Sequence, residues 1–562
     1  MTSVFFQKKR ICFFIAKIAL ILSGTYLSFV FNTQSVVFFI QAFKGNKTLA
    51  FFCICAFVMI VSSGLIILLF RFKFLEKVYE LLRKRSYLAQ ALLLLFSALC
   101  VGTYISQFYN SANVNIDHLN GINEWWFHIP YAFEFASHPA DFTLPRWILT
   151  FILFIPLMVF FLYFITTLTE VIRSVLTTLS KVEKRFLIIA SAAAIVYIVF
   201  IYNSTDIYYG GMDRIYSYDS LADSSYLLNP FYYWSYYQYP LEPNFSLPFI
   251  VLAKQLSPYI PLWESVFRTL IQFEMLLLAI VMLSRMVSDN PVTRLFTLLI
   301  FSFSFQTLIL ATIYERRVIT LIFLIIAIFQ SVHRKKDDKF WISVASGAII
   351  CNAYVSLMSM KSKKTFIKDL FLCGAVFLFI AAFLGKVSGL LDLRTQMENF
   401  ETKGWLDADL DMKSKLIHYL NFISSCLISP LSHAVDGKSW EMAIPKFNFF
   451  TILGAIIIVL AATGFILNFK NKFAQISFVG ILVSFFFLFV KSLNVNENAI
   501  VLNTLFFAWA FISLTIMAID GIFDNTKVKP VILSVIAGGC LIYNMIAVVQ
   551  LYNFGVSAYP IQ

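Results

Sequence analysis

Between Asn203 and Ser246 stand five carboxylates (Asp206, Asp213, Asp219, Asp223 and Glu242) against a single base, Arg214. The same stretch holds thirteen aromatic residues, ten of them tyrosines, and includes the run Tyr232, Tyr233, Trp234, Tyr236 and Tyr237. Carboxylates among rings with one apolar face and one hydroxyl suit a carbohydrate. Sugar C–H faces stack on the rings, and sugar hydroxyls bond to carboxylates and phenols. Tyr216, Trp234 and Glu242 are the binding candidates in this stretch. An interfacial aromatic belt would also produce the tyrosines, though it leaves the aspartates without a reason.

A second charged group, Glu315, Arg316 and Arg317, lies between two apolar runs. Guanidinium groups at that depth suit a lipid phosphate, on which negative charge develops when it departs. Charge so close to lipid is costly and marks a candidate site, against the plainer reading of a snorkelling cap with Glu315 paired to an arginine. Lys254 and Arg268 flank an amphipathic stretch, 247–256, and are further candidates. Glu497 belongs to an amide-rich turn, Asn494 to Asn498, that offers donors and acceptors to sugar hydroxyls. Asp407, Asp409 and Asp411 alternate as calcium ligands do, but the glycine and glutamate of an EF-hand are missing. Trp125, Trp126 and His128 suit either the same cleft or the interface. The eight cysteines and six histidines show no metal-ligand spacing, and there is no phosphate-binding glycine loop, so neither metal nor cofactor is expected.

The elements that must position these groups follow from composition. The chain has 562 residues, 60% hydrophobic and 13% charged, with 63 phenylalanines and a mean hydropathy of +0.80. A single soluble core cannot hide that much apolar surface, so lipid must be the solvent. Runs of membrane length occur at 11–31, 49–70, 89–106, 147–168, 185–202, 264–286, 293–312, 316–332, 368–384, 449–468, 475–490, 498–519 and 530–551, with a weaker one at 341–357. Continuous runs mean helices and not barrel strands. The fold expected is an all-α polytopic membrane protein of about thirteen transmembrane helices plus a re-entrant or surface hairpin, its external loops carrying short helices.

Basic residues mark the cytoplasmic side. The N-terminus with Lys8, Lys9 and Arg10, and the segments 71–87, 169–184 and 333–340, are therefore expected inside, in a cell or plasma membrane. Lys361 to Lys368 is basic too, which makes 341–357 the hairpin and puts Lys470, Lys472, Lys527 and Lys529 inside. Loops 107–146, 203–263 and 385–448 then lie outside, together with the C-terminus. The division expected is 1–184 (four spans), 185–385 (a core with the acidic loop 203–263), 386–448 (an external cap or lid) and 449–562 (four spans). The net charge of +13 reads as topology and attraction to lipid head groups, with no nucleic-acid partner.

The run Asp213, Arg214, Ile215, Tyr216, Ser217, Tyr218, Asp219, Ser220, with Asn229-Pro230-Phe231 and Tyr239-Pro240-Leu241 after it, resembles in layout the first external loop of the C-type (GT-C) glycosyltransferases. These are integral membrane enzymes that take sugars from polyprenyl-phosphate carriers. The resemblance covers roughly 200–385, and here five predicted spans precede a loop that the superfamily usually places after the first. It implies Asp213 or Asp219 as base or acceptor-positioning group, an inverting and metal-independent transfer, a polyprenyl-phosphate-linked sugar as donor and a cell-envelope glycan or lipid as acceptor. An oligosaccharide repeat-unit polymerase shares the external arginines and the Glu242-Pro243 pair. A transporter or flippase is the non-enzymatic alternative; it needs charge near span centres, where Glu274 is the clearest case.

Overall fold

The computed structural model describes residues 74–98, 144–208, 214–216, 263–333, 338–348, 411–491, 498–523 and 527–561, with a few isolated positions such as Tyr354 and Cys373. The expected spans 11–31, 49–70 and 368–384 and most of loops 107–146, 203–263 and 385–448 lie outside these residues.

The described chain is helical apart from one short hairpin. In order it runs α1 (Phe74–Arg83), α2 (Tyr87–Ala98), α3 (Leu144–Thr177), α4 (Lys181–Tyr202), α5 (Trp263–Val287), α6 (Pro291–Ser302), α7 (Phe305–Leu308), α8 (Arg316–Val332), α9 (Asp338–Ala348), α10 (Met412–Ser425), β1 (Ser432–Val435), β2 (Ser439–Met442), α11 (Phe449–Leu467), α12 (Lys472–Ser484), α13 (Thr504–Ile522) and α14 (Val528–Ala558). Six helices are long and apolar enough to cross a membrane, or up to seven if the bent pair of α6 and the segment 305–312 is one span. The chain is an integral membrane protein.

Local signals start these helices where the apolar runs begin. Ser180 and Glu183 close a capping box on α4, Asn290 caps α6 ahead of Pro291, and Asn448 with Thr451 caps α11. The centre is α13, whose apolar window is 89% buried, so its neighbours surround it on every side. Two glycines on α11 let backbones touch: an added Cβ would lie 2.0 Å from Leu420 O of α10 at Gly454, and 2.0 Å from Leu514 O of α13 at Gly464.

One end of the bundle gathers charge. Arg285 of α5 donates to both carboxylate oxygens of Glu183, at 2.9 and 3.0 Å. Asp520 of α13 accepts from Ser288, Thr293 and Lys529 at 2.6–2.8 Å, and Lys472 donates to Ser331. Leu467 touches Gly521. The basic turns after α3, α8, α11 and α13 therefore share this end.

Four expected elements differ. The run 293–312 is not one helix. It breaks after Ser302 and resumes as α7 and a 3-10 turn, Leu310–Thr312, bent by 49°. Hydroxyls mark the break: Ser304 and Thr307 both donate to Phe301 O, at 2.8 and 2.7 Å, closer than the 3.3 Å of the Ser304 backbone amide. The run 498–519 opens as a 3-10 turn, and 475–490 ends in a π-helix, Phe485–Val490. The end of the presumed lid is not a cap. Its helix α10 packs on α11 with His418, Tyr419, Asn421 and Phe422 buried, and the β1–β2 hairpin follows, so the fold is not wholly helical. Asp411 is the N-cap of α10, accepting from Ser414 N at 3.4 Å, and needs no cation to explain it.

Candidate functional site

The Glu315 turn is built between α5 and α8. Gln272, one turn along α5 from Arg268, donates to Ala311 O and Ile313 O at 3.2 and 2.8 Å and accepts from Glu315 N at 2.9 Å. One amide side chain thus satisfies three backbone groups that the broken helix leaves over. Glu315 caps α8: its carboxylate accepts from Arg317 N at 2.6 Å and from the Arg317 guanidinium at 2.9 Å. Glu315 is 3% exposed, whereas the Arg317 side chain keeps 18% of its surface, so the arginine is the partner that other molecules can reach. Arg268 is fully buried, its guanidinium 4.8 Å from the Tyr314 ring. Cation–π contact in a water-poor site is worth about 2 kcal/mol and helps to hold a charge there.

Arg268 thus lies buried within α5, and the stretch 247–256 that it was expected to flank lies outside the described residues. Glu274, the clearest charge near a span centre, lies farther along the same helix. It accepts from Ser191 of α4 at 2.6 Å, on the same helix as Arg268 and Arg285.

The acidic loop is described at its root. Ile215 pairs with Trp440 as a parallel bridge; Trp440 N donates to Arg214 O and Tyr216 N to Trp440 O, both at 2.8 Å. Arg214 lies 4.3 Å from the Tyr559 ring and donates to Asp206 O at 3.1 Å. Tyr559 O in turn accepts from Asp206 N and from the Thr205 hydroxyl. Tyr216 takes a left-handed backbone (φ 53°), rare for a bulky residue. Its hydroxyl reaches Ser432 at 2.9 Å, its ring meets the Phe305 ring edge-on at 5.8 Å, and burial raises its pKa above the usual phenol value. Tyr216 is therefore a buried strut under the loop and not an open sugar contact.

Phe305, beneath Tyr216, begins the short segment that ends at Glu315. Ten residues of mostly helical chain span on the order of 15–20 Å. The root of the acidic loop and the arginine turn thus sit at the two ends of one short segment, a helical turn and a 3-10 turn followed by extended chain.

No protein-family model, no curated protein and no solved structure matches this chain.

Of the residues singled out by sequence, Tyr216, Glu315 and Arg317 are described with their side chains, and Arg316 as the first residue of α8. Asp213, Asp219, Trp234, Glu242, Lys254 and Glu497 lie outside the described residues. Among the described residues no group of three metal-ligating side chains occurs. Sequence reasoning missed Asn544 of α14, which is fully buried at a meeting of two chain breaks. It donates to Phe303 O at 2.7 Å and Leu427 O at 3.0 Å and accepts from Ser429 N at 2.7 Å. An amide inside a long apolar run was the available signal.

Proposed function

We propose that this chain is a membrane glycosyltransferase that moves a sugar from a polyprenyl-phosphate carrier to a cell-envelope glycan or lipid. In this reading the basic end lies in the cytoplasm, the hairpin and the acidic loop lie outside, and about thirteen spans carry them. The observation that carries the reading is the short segment from Phe305 to Glu315, with the root of a carboxylate-rich loop at one end and Arg317 beside buried Glu315 at the other.

The chemistry is an inverting displacement. An acceptor hydroxyl oxygen attacks the anomeric carbon, the bond from that carbon to the phosphate oxygen breaks, and the hydroxyl proton passes to Asp213 or Asp219. Arg317, and Arg316 beside it, stabilise the phosphate that leaves on the lipid. A guanidinium has five N–H donors, so engagement of Arg317 with Glu315 does not exhaust it.

One observation favours a second reading, a flippase for the same lipid-linked sugar. Interrupted helices that meet inside a bundle are the usual substrate sites of transporters. Here, however, the carbonyls of Phe303 and Leu427 are bonded to Asn544, and that of Ser425 to Gln306. Those helix ends are filled from within the chain, which ranks transport second.

The test is a deletion strain complemented with wild-type protein, with Asp213→Asn plus Asp219→Asn, or with Arg317→Ala. The transferase reading expects under-decorated glycan and a build-up of the polyprenyl-phosphate sugar in both variants. Accumulated lipid-linked repeat units would instead identify a polymerase, and donor trapped on the cytoplasmic leaflet a flippase. Full complementation by the double aspartate variant rejects the enzyme.

A further inference from the structure

Four separate pieces of chain knit together where the acidic loop begins: the turn 205–208, the loop root 214–216, the β1–β2 hairpin and the far end of α14. Backbone bonds run from Asp206 N to Tyr559 O at 2.9 Å, from Trp440 N to Arg214 O and from Tyr216 N to Trp440 O, and Thr205 bridges Pro560. Side chains lock the same pieces. The Tyr559 hydroxyl donates to Lys438 O, its ring carries the Arg214 guanidinium, and Trp440 packs on Phe554 at 5.5 Å. At Gly555 an added Cβ would come within 2.8 Å of Ile207, so α14 and the 205–208 turn fit closely.

Here the residue directly before Arg214 is Asp213, and the one directly over the helix break is Tyr216, held in a left-handed conformation that the surrounding contacts must maintain.

Building on the transferase reading, we infer that Arg214, Tyr216 and Tyr559 are positioning residues: they form a clasp that ties the loop root 214–216 to the hairpin, to the end of α14 and to Phe305. None of the three is assigned contact with the reacting atoms. Their effect passes through the carboxylates of the loop, because a misplacement of about 1 Å at a reacting group costs on the order of a hundredfold in rate.

Two readouts on purified protein in lipid nanodiscs test the clasp. In hydrogen exchange, Tyr559→Leu removes the ring under Arg214 and is expected to speed exchange at the Asp206 and Tyr216 amides at least about tenfold, with residues 533–551 of α14 unchanged. Tyr559→Phe keeps the ring and is expected to restore most of the protection. In transfer from a radiolabelled polyprenyl-phosphate sugar, Tyr559→Leu and Tyr216→Phe are expected to lower kcat about tenfold with the donor KM nearly unchanged, whereas Arg317→Ala raises that KM. Faster exchange with unaltered kcat makes the clasp a purely structural feature and overturns the inference, as does unaltered exchange in Tyr559→Leu. A wild-type protein that transfers no sugar removes the enzyme reading and the positioning role with it, and the exchange arm then decides the clasp alone.

Discussion

Replacing Asn544 by leucine keeps the branched shape of the side chain, adds bulk, and removes three hydrogen bonds from the interior. Leu427 O retains a donor, because Phe305 N also reaches it at 3.2 Å. Phe303 O and Ser429 N lose the bonds that Asn544 makes to them at 2.7 Å each. A buried backbone group left without a partner costs about 1–3 kcal/mol, so two such groups give a loss of about 4 kcal/mol. At roughly 2 °C per kcal/mol for a chain of this size, the melting midpoint should fall by roughly 8 °C. The assay is a melt in detergent with a thiol-reactive dye, read from the buried thiols of Cys426 and Cys540, which lie close to the two breaks. Aspartate at the same position should do worse than leucine, since it keeps the acceptor for Ser429 but turns a charge toward two carbonyls. A leucine variant that melts within about 2 °C of wild type would refute the claim that this amide holds the breaks together.

Three further outcomes are expected. Gly464→Ala forces α11 and α13 apart and should cost about 1–3 kcal/mol, whereas Gly538→Ala, where an added Cβ meets nothing within 4 Å, should be neutral or stabilising; both are read in the same melt. Asp520→Ala removes the carboxylate that Ser288, Thr293 and buried Lys529 share, at a cost of about 3 kcal/mol, and should raise protease sensitivity in the turns 288–293 and 523–528. The hydrogen bond from Ser414 holds the Asp411 carboxyl below its usual pKa. A depressed folded pKa means that the cap stabilises fully above the ordinary aspartate value and is lost as pH falls through the lower, folded one. Exchange at the Ser414 amide should therefore quicken only under acid, and Asp411→Asn should flatten that dependence.

Much of the helical plan was legible from apolar run length alone, and the shared end of the basic turns from the positions of lysine and arginine. The break after Ser302 was not, because hydropathy cannot separate a helix from a bent pair when no proline or glycine marks the bend. What marks it is a competition between the hydroxyls of Ser304 and Thr307 and the backbone for one carbonyl. The placement of α10 was hidden for the opposite reason. Its buried His418, Asn421, Ser424 and Ser425 read as a solvated face, although Asn421 bonds to Thr451 of α11 within the packed bundle. The Glu315–Arg317 pair was legible as a charged turn between spans. The part played by Arg268 was not, since a burial within α5 looks the same in sequence as a flank. That Tyr216 is buried was not legible either, because residue type reveals an aromatic ring but not which way a left-handed turn aims it.

The glycines of α11 bear on where the bilayer can reach between helices. With Gly454 against the carbonyl of Leu420 and Gly464 against that of Leu514, main chains lie in contact on two sides of one helix. An isoprenoid tail needs a gap several ångströms wide, and atoms in contact leave none. On the proposed transferase reading, neither point of contact is a doorway from the bilayer, so a tethered sugar would approach past other helices, and crosslinking α11 to α10 or α13 there should leave turnover intact.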